Sequence, residues 1–177
     1  VYVSSSTTEE LGSVRGDVGE GLRNLGFEVR YEPRMGADRD RALAAEAILT
    51  WNHPAYGPLV GDAVWSHFDR AQVLDAVIPW WIRRCATDAT LWEAQPDLRV
   101  TIPVPDSYLL RPEFLEQLSV VFAGVHIEPS RIELMVTEGL LRHDRRSAAV
   151  MQLEAITALG VRVAVDIGVD VAVGVRV

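Results

Sequence analysis

The segment Ala45-Glu46-Ala47-Ile48-Leu49-Thr50-Trp51-Asn52-His53-Pro54 is a mainly apolar run with one acidic side chain and a closing His-Pro turn. It is one strand of a 177-residue chain in which strand-like and helix-like segments alternate. Helices are predicted around Asp62 to Val77, Pro79 to Trp92, Arg111 to Ala123 and Arg146 to Leu159. Pro79 suits the first turn of its helix, where a missing N–H costs nothing. This alternation predicts an α/β fold with a parallel sheet covered by helices.

Four further strand-like segments accompany the first in a fixed order: Phe27 to Pro33, Pro96 to Val104, Arg131 to Glu138, and Leu159 to Gly168. The ordered set resembles the EAL domain family, whose strands read F-x-L-x-Y-Q-P, E-A-L-x-R-W-x-H-P, P-x-L-x-V-x-V-N-V, L-E-L-E-I-T-E and L-G-x-x-x-A-L-D-D-F-G. The resemblance implies an incomplete TIM-like (β/α) barrel with about six of its eight strands. Residues 1–24 would be a linker and lead-in helix from an upstream sensory or GGDEF domain, and residues 25–177 the EAL domain.

The resemblance assigns roles to single positions, and most of them carry another residue here. Glu46 matches a metal ligand, Asp166 matches the first Asp of its motif, and Glu138 matches a loop-organising Glu. Five positions differ: Thr50 replaces the phosphate-binding Arg, Pro103 a metal-binding Asn, Met135 a metal-binding Glu, Ile167 the second Asp, and Val173 the catalytic Lys. The resemblance thus leaves no catalytic residue, and it leaves Glu46, Ile48 and Asp166 as vestigial nucleotide-binding candidates.

The substitutions bear directly on the Mg²⁺ or Mn²⁺ that active family members use. Such a site needs several hard oxygen ligands around one ion. Glu46 and Asp166 would supply two, whereas a proline ring offers no donor atom and the Met135 thioether is too soft. We therefore expect no resident cofactor, and we expect both carboxylates to be satisfied by polar neighbours.

Composition describes a globular protein with a net charge of −8, from 17 basic and 25 acidic residues. An acidic chain without clustered cations is not expected to bind DNA. The single cysteine, Cys85, cannot form an internal disulfide and is expected to be a buried thiol in a reducing compartment. No apolar run reaches about 20 residues and the first residues given show no basic-then-apolar pattern, so the cytoplasm is the expected location.

The C-terminal segment presents a topological problem. Val169 to Val175 resembles the sixth family strand, yet it directly follows Gly168, the end of the fifth. Parallel neighbours need a crossover of about a dozen residues or more. Either the chain is interrupted near Gly168, or the last strand does not pair in parallel with its predecessor. The edge strands of an incomplete barrel would invite pairing with another chain, which favours a homodimer.

Three functions follow from the resemblance, in decreasing order of support. The first is an inactive EAL-type domain that acts in cyclic di-GMP signalling through a protein partner of unknown identity. The second is an inactive cyclic di-GMP receptor, which the loss of the guanidinium clamp at Thr50 disfavours. The third is an active cyclic di-GMP phosphodiesterase, which would rest only on Glu46, Glu138 and Asp166.

Overall fold

The fold is described by a computed structural model that covers residues 18–36, 42–92, 95, 97–141, 146–166 and 173–174. Strands and helices alternate over this part of the chain, as predicted. The elements are α1 (Val18–Asn24), β1 (Phe27–Met35), β2 (Ala42–His53), β3 (Gly57–Val60), α2 (Asp62–Arg70), α3 (Leu74–Thr90), β4 (Arg99–Pro103), α4 (Asp106–Leu109), α5 (Phe114–Ala123), β5 (Ile132–Thr137), α6 (Arg146–Ala158), β6 (Arg162–Asp166) and β7 (Val173–Gly174), with 3-10 turns at Pro129–Arg131 and Glu138–Leu141.

The helix predicted from Asp62 to Val77 is wrong, because the chain forms two helices there. Gln72 adopts a left-handed conformation with φ 55° and ends α2. The Val73 N–H donates to the Phe68 carbonyl and the Gln72 N–H to the Asp69 carbonyl, which is the bonding pattern of a Schellman helix end. Glycine usually fills the left-handed position of this motif, so the glutamine gave no sequence signal of a stop.

The predicted position of Pro79 in the first turn of a helix is also wrong, because Pro79 lies inside α3. The helix begins earlier, at Leu74, directly after the turn at Gln72. Pro79 removes one backbone hydrogen bond near the start of the helix, where its loss is tolerated better than in the middle. Cys85 on the same helix is fully buried, which confirms the predicted buried thiol. The two later helices begin or end within three residues of their predicted bounds.

The sheet has the strand order β1-β2-β4-β5-β6-β7, with β3 attached to β2. Three successive pairs, β2 with β4, β4 with β5 and β5 with β6, are parallel, whereas β2 and β3 are antiparallel. Each parallel connection in this series contains at least one helix. The pairing confirms the parallel α/β arrangement that the alternation predicted.

The last described strand resolves the topological problem of the C-terminal segment. β7 pairs with β6 in the antiparallel direction, with Ala164 opposite Gly174 and Val165 opposite Val173. Of the two alternatives, a strand that does not pair in parallel with its predecessor is therefore confirmed. An antiparallel return needs no long crossover, which removes the difficulty of the short connection. The Gly168–Val169 bond itself lies outside the described residues.

The chain divides into two compact units of discontinuous sequence. The first comprises Val1–Tyr31 and Ile48–Trp81, and the second Glu32–Ala47 and Ile82–Val177.

In the described part of the chain, no helix combines the length and apolar character that a membrane span needs.

The core of the first unit is organised by Trp51. Its side chain is 2% exposed, its ring stacks on Phe27 with centroids 4.7 Å apart, and its indole N–H donates to the Leu25 carbonyl at 2.8 Å. His67 meets the same ring edge-on at 5.1 Å. His53 uses Nδ1 to accept two backbone N–H groups of the turn that follows it, in keeping with the structural turn predicted there.

Candidate functional site

The register of the second unit brings three of the sequence-predicted positions, Glu46, Pro103 and Met135, onto one face of the sheet. Glu46 on β2 lies opposite Thr101 on β4, which in turn lies opposite Glu133 on β5. Two residues further along the strands, Pro103 lies opposite Met135. Side chains two residues apart on a strand point to the same face. These five side chains therefore share a face.

An arginine that the sequence analysis did not single out reaches into this face. Arg34 lies near the end of β1, and its Nη1 atom donates to Glu46 Oε2 at 2.7 Å and to Met135 Sδ at 3.3 Å. The Arg34 and Glu46 side chains are 26% and 25% exposed. One guanidinium nitrogen therefore contacts two side chains, and both occupy positions that bind the metal in the family that the sequence resembles.

The carboxyl of Glu46 has its pKa raised above the usual range. Burial is the largest cause, and the Arg34 guanidinium opposes it by stabilising the charged form. The negative charges of Asp166 and Glu32 raise the pKa further. The ion pair with Arg34 thus does not fully offset the cost of burying this carboxylate among other acids.

A second polar group lies beside the first and has a structural character. Thr101 is fully buried, and its hydroxyl donates to Glu133 Oε1 at 2.8 Å. The other Glu133 oxygen lies 3.5 Å from Arg99 Nε, which is an ion pair without hydrogen-bond geometry. Glu133 is thereby held between a hydroxyl and a cation, which satisfies its charge.

The ends of β5 and β6 carry the remaining acidic positions. Asp106, the first residue of α4, accepts hydrogen bonds from both the backbone N–H and the hydroxyl of Thr137. Glu138 follows directly, is exposed, and begins a 3-10 turn. Asp166 ends β6 opposite Thr137 and is also exposed. The two hydrogen bonds from Thr137 tie this loop to Asp106, and the loop-organising role of Glu138 stays a prediction.

Four further predicted positions are not among these residues. Thr50 belongs to the first unit, where it is buried on β2 opposite Val60 of β3. Ile48 precedes it on the same strand and is partly buried. Ile167 lies outside the described residues, and Val173 is placed only as part of β7.

The residues present do not fit a magnesium or manganese ion. Within the described ranges, no three His, Cys, Asp or Glu side chains come together as a metal-binding group. Glu46 is engaged by a guanidinium, and Met135 offers only a thioether that itself accepts an N–H from Arg34. Hard divalent ions require several oxygen ligands. The described side chains of this face do not supply that set of ligands.

Sequence reasoning missed two residues that organise the face, Arg34 and Asp106. Arg34 follows the Glu32-Pro33 pair at the end of the opening strand. A cation directly after that pair, beside the strand that carries Glu46, was the available signal. Asp106 follows Pro105 and begins a very short helix. Acidic residues are favoured in the first turn of a helix, so its position was ordinary. Nothing in the local pattern indicated that it reaches Thr137.

Comparison with known proteins gives consistent likenesses. The family model described as "EAL domain" matches residues 15–169. Cyclic di-GMP phosphodiesterase RocR of Pseudomonas aeruginosa is 29% identical over 153 residues, which cover 85% of this chain and 37% of RocR. Cyclic di-GMP phosphodiesterase PA2567 of the same organism is 28% identical over 142 residues, which cover 80% of this chain and 24% of that protein. The chain thus spans well under half the length of these curated relatives.

A solved structure described as "PaMucR Phosphodiesterase, c-di-GMP complex" matches with a TM-score of 0.72 at 20% identity. The match covers 85% of this chain and 62% of that one. This likeness confirms the fold class predicted from the sequence, an incomplete α/β barrel of EAL type.

Proposed function

The chain belongs to the EAL domain family, and we propose that it acts in cyclic di-GMP signalling by contacting another protein, without hydrolysing the nucleotide. The observation that carries this proposal is the Arg34 guanidinium, which contacts Glu46 and Met135 at once. Hydrolysis assisted by a divalent ion needs several oxygen ligands and a bound water. In this chain the carboxylate of Glu46 is already engaged, and its neighbour at position 135 supplies sulfur.

Thr50 stands where the family has its phosphate-binding arginine, and this substitution also supports signalling without tight nucleotide binding. A guanidinium binds a phosphate through two parallel, charge-assisted hydrogen bonds. Thr50 offers one hydroxyl and is only 6% exposed in the first unit. Tight phosphate binding through this position is therefore not expected, which leaves a protein partner as the means of signalling.

The test is calorimetric titration of the purified chain with cyclic di-GMP, in buffer with Mg²⁺ or Ca²⁺ and then with a chelator. Chromatography of the nucleotide after incubation with Mn²⁺ measures hydrolysis in parallel, with RocR as the positive control. We expect no saturable heat at micromolar nucleotide and no hydrolysis from a sample that circular dichroism shows to be folded. Saturable heat without hydrolysis would replace the proposal with a receptor function, and hydrolysis would exclude both.

The partner is the open part of this proposal. We propose a second copy of the chain as the first partner to test, because an unpaired edge strand of a sheet invites pairing with a strand of another chain. We expect a dimer on light scattering at micromolar concentration. A monomeric mass would direct the search to a different protein, to be sought by affinity purification from cells that contain the full-length protein.

A further inference from the structure

The Arg34 guanidinium lies where an ion held by this face of the sheet would have to lie. Its Nη1 atom is 2.7 Å from Glu46 Oε2 on β2 and 3.3 Å from Met135 Sδ on β5. These strands are not neighbours, since β4 separates them in the sheet. An ion bound by side chains at both positions must lie between them, and a nitrogen atom of this chain is already there.

We infer that Arg34 is the built-in cation of this face and that it excludes divalent metal ions from it. The inference goes beyond the proposed function, because it concerns what fills the site and would hold whether or not nucleotide binds. A guanidinium remains protonated throughout the pH range of a folded protein. Its charge can be removed neither by a chelator nor by a change in pH.

The geometry explains why the metal and the arginine exclude each other. A magnesium ion binds oxygen at about 2.0–2.1 Å, and Glu46 Oε2 already has Nη1 at 2.7 Å. An ion bound to that oxygen would lie close to the Arg34 guanidinium, and the two positive charges would repel each other strongly. Admitting the ion therefore requires the half-buried Arg34 side chain to leave its position.

The chemistry of position 135 agrees with a resident guanidinium. A thioether is a weak but adequate hydrogen-bond acceptor and carries no charge. With sulfur there, Arg34 and Glu46 balance each other one to one. The neighbouring acids Glu32 and Asp166 also act on Glu46, so the face still attracts cations. If the negative charge of the face alone controlled metal binding, the native chain would bind a divalent ion. If Arg34 excludes the ion, the native chain will not bind it, so a binding measurement distinguishes the two.

The test compares two variants that differ only at Arg34. P103N/M135E restores two oxygen-bearing side chains and keeps the arginine, whereas R34Q/P103N/M135E restores them and removes it. Thermal unfolding is measured for both and for the native chain, with Mn²⁺ and with EDTA. The signal of free Mn²⁺ in electron paramagnetic resonance measures binding directly. R30Q is the matched control, because Arg30 lies on the same strand in an exposed ion pair with Glu28.

We expect Mn²⁺ to raise the unfolding temperature of the triple variant by about 5 to 10 °C at a hundredfold excess over its Kd. The native chain, R30Q and P103N/M135E should show no shift and no loss of free Mn²⁺ signal. Saturable Mn²⁺ binding by the native chain or by P103N/M135E would overturn the inference. If the triple variant does not fold, R34Q/M135E replaces it, and a failure of that folded variant to bind Mn²⁺ would also overturn it.

Discussion

A double-mutant cycle on Arg34 and Glu46 should give a coupling of about 1 to 2 kcal/mol in the free energy of unfolding. The cycle compares the native chain with R34Q, E46Q and the double variant. Glutamine matches glutamate in size, is shorter than arginine, and gives each position a neutral hydrogen-bonding group; packing losses that belong to one side chain alone cancel in the cycle. The coupling therefore reports the charge–charge interaction rather than a change in packing.

The magnitude follows from how far the pair is withdrawn from water. Two unit charges about 4 Å apart attract by about 1 kcal/mol in water and by about 4 kcal/mol at an effective dielectric constant of about 20. The two side chains are 26% and 25% exposed, which places the pair between an exposed and a buried one. The cost of burying Glu46, the largest cause of its raised pKa, offsets part of the attraction.

Urea unfolding followed by circular dichroism measures the four free energies, and a second cycle supplies the reference. Arg30 and Glu28 form an ion pair at 2.8 Å on the same strand, with side chains 64% and 51% exposed. Such exposed pairs contribute about 0.2 to 1 kcal/mol and are screened by salt. If the two cycles give equal couplings, or if 0.5 M NaCl abolishes both, the argument from burial is refuted.

Three further expectations concern the first unit and the turn between α2 and α3. W51F should lower the free energy of unfolding by about 2 to 3 kcal/mol, because the Leu25 carbonyl loses its donor and the smaller ring leaves a space in the core; urea unfolding measures the loss. His67 has its pKa lowered by burial and by the charges of Arg70 and His53. The unfolded chain therefore binds the proton more readily, and His67 contributes stability above about pH 6.5 that is lost as the pH falls below it. H67F should flatten that loss in thermal unfolding between pH 7.5 and 5.5. Q72G should stabilise the chain by about 1 kcal/mol, because glycine adopts the φ of 55° without strain.

Each of these has a clear contrary result. An unfolding free energy of W51F equal to that of the native chain would show that the indole hydrogen bond contributes nothing net. An equally steep acid response in H67F would move its origin to other groups. A destabilised Q72G would mean that the glutamine side chain makes contacts worth more than the backbone strain.

The sequence predicted the positions of the strands well, because their residues carry the signal locally. Each of the five quoted segments overlaps a strand of the sheet, namely β1, β2, β4, β5 and β6. The helix end at Gln72 could not be predicted in this way, because a left-handed residue without glycine has no compositional mark. The parallel pairing of the strands was predicted from the alternation of elements rather than from any single residue.

The candidate site was predicted only in part, for a different physical reason. The resemblance identified Glu46 as a retained metal-ligand position and Pro103 and Met135 as altered ones, and the register places Pro103 opposite Met135. It did not identify Arg34, because the contacts of a long, flexible side chain depend on the distance between strands that are far apart in sequence. Met135 to Arg34 is a contact over 101 residues.

β7 pairs with the edge of β6 through two residue pairs, so any other strand that pairs with this edge must compete with β7. A strand tethered in the same chain is always present at a high effective concentration, so a strand from elsewhere must displace it before pairing with Arg162–Asp166. A partner strand that extended the sheet at this edge would therefore have to pair with β6 more favourably than β7 does.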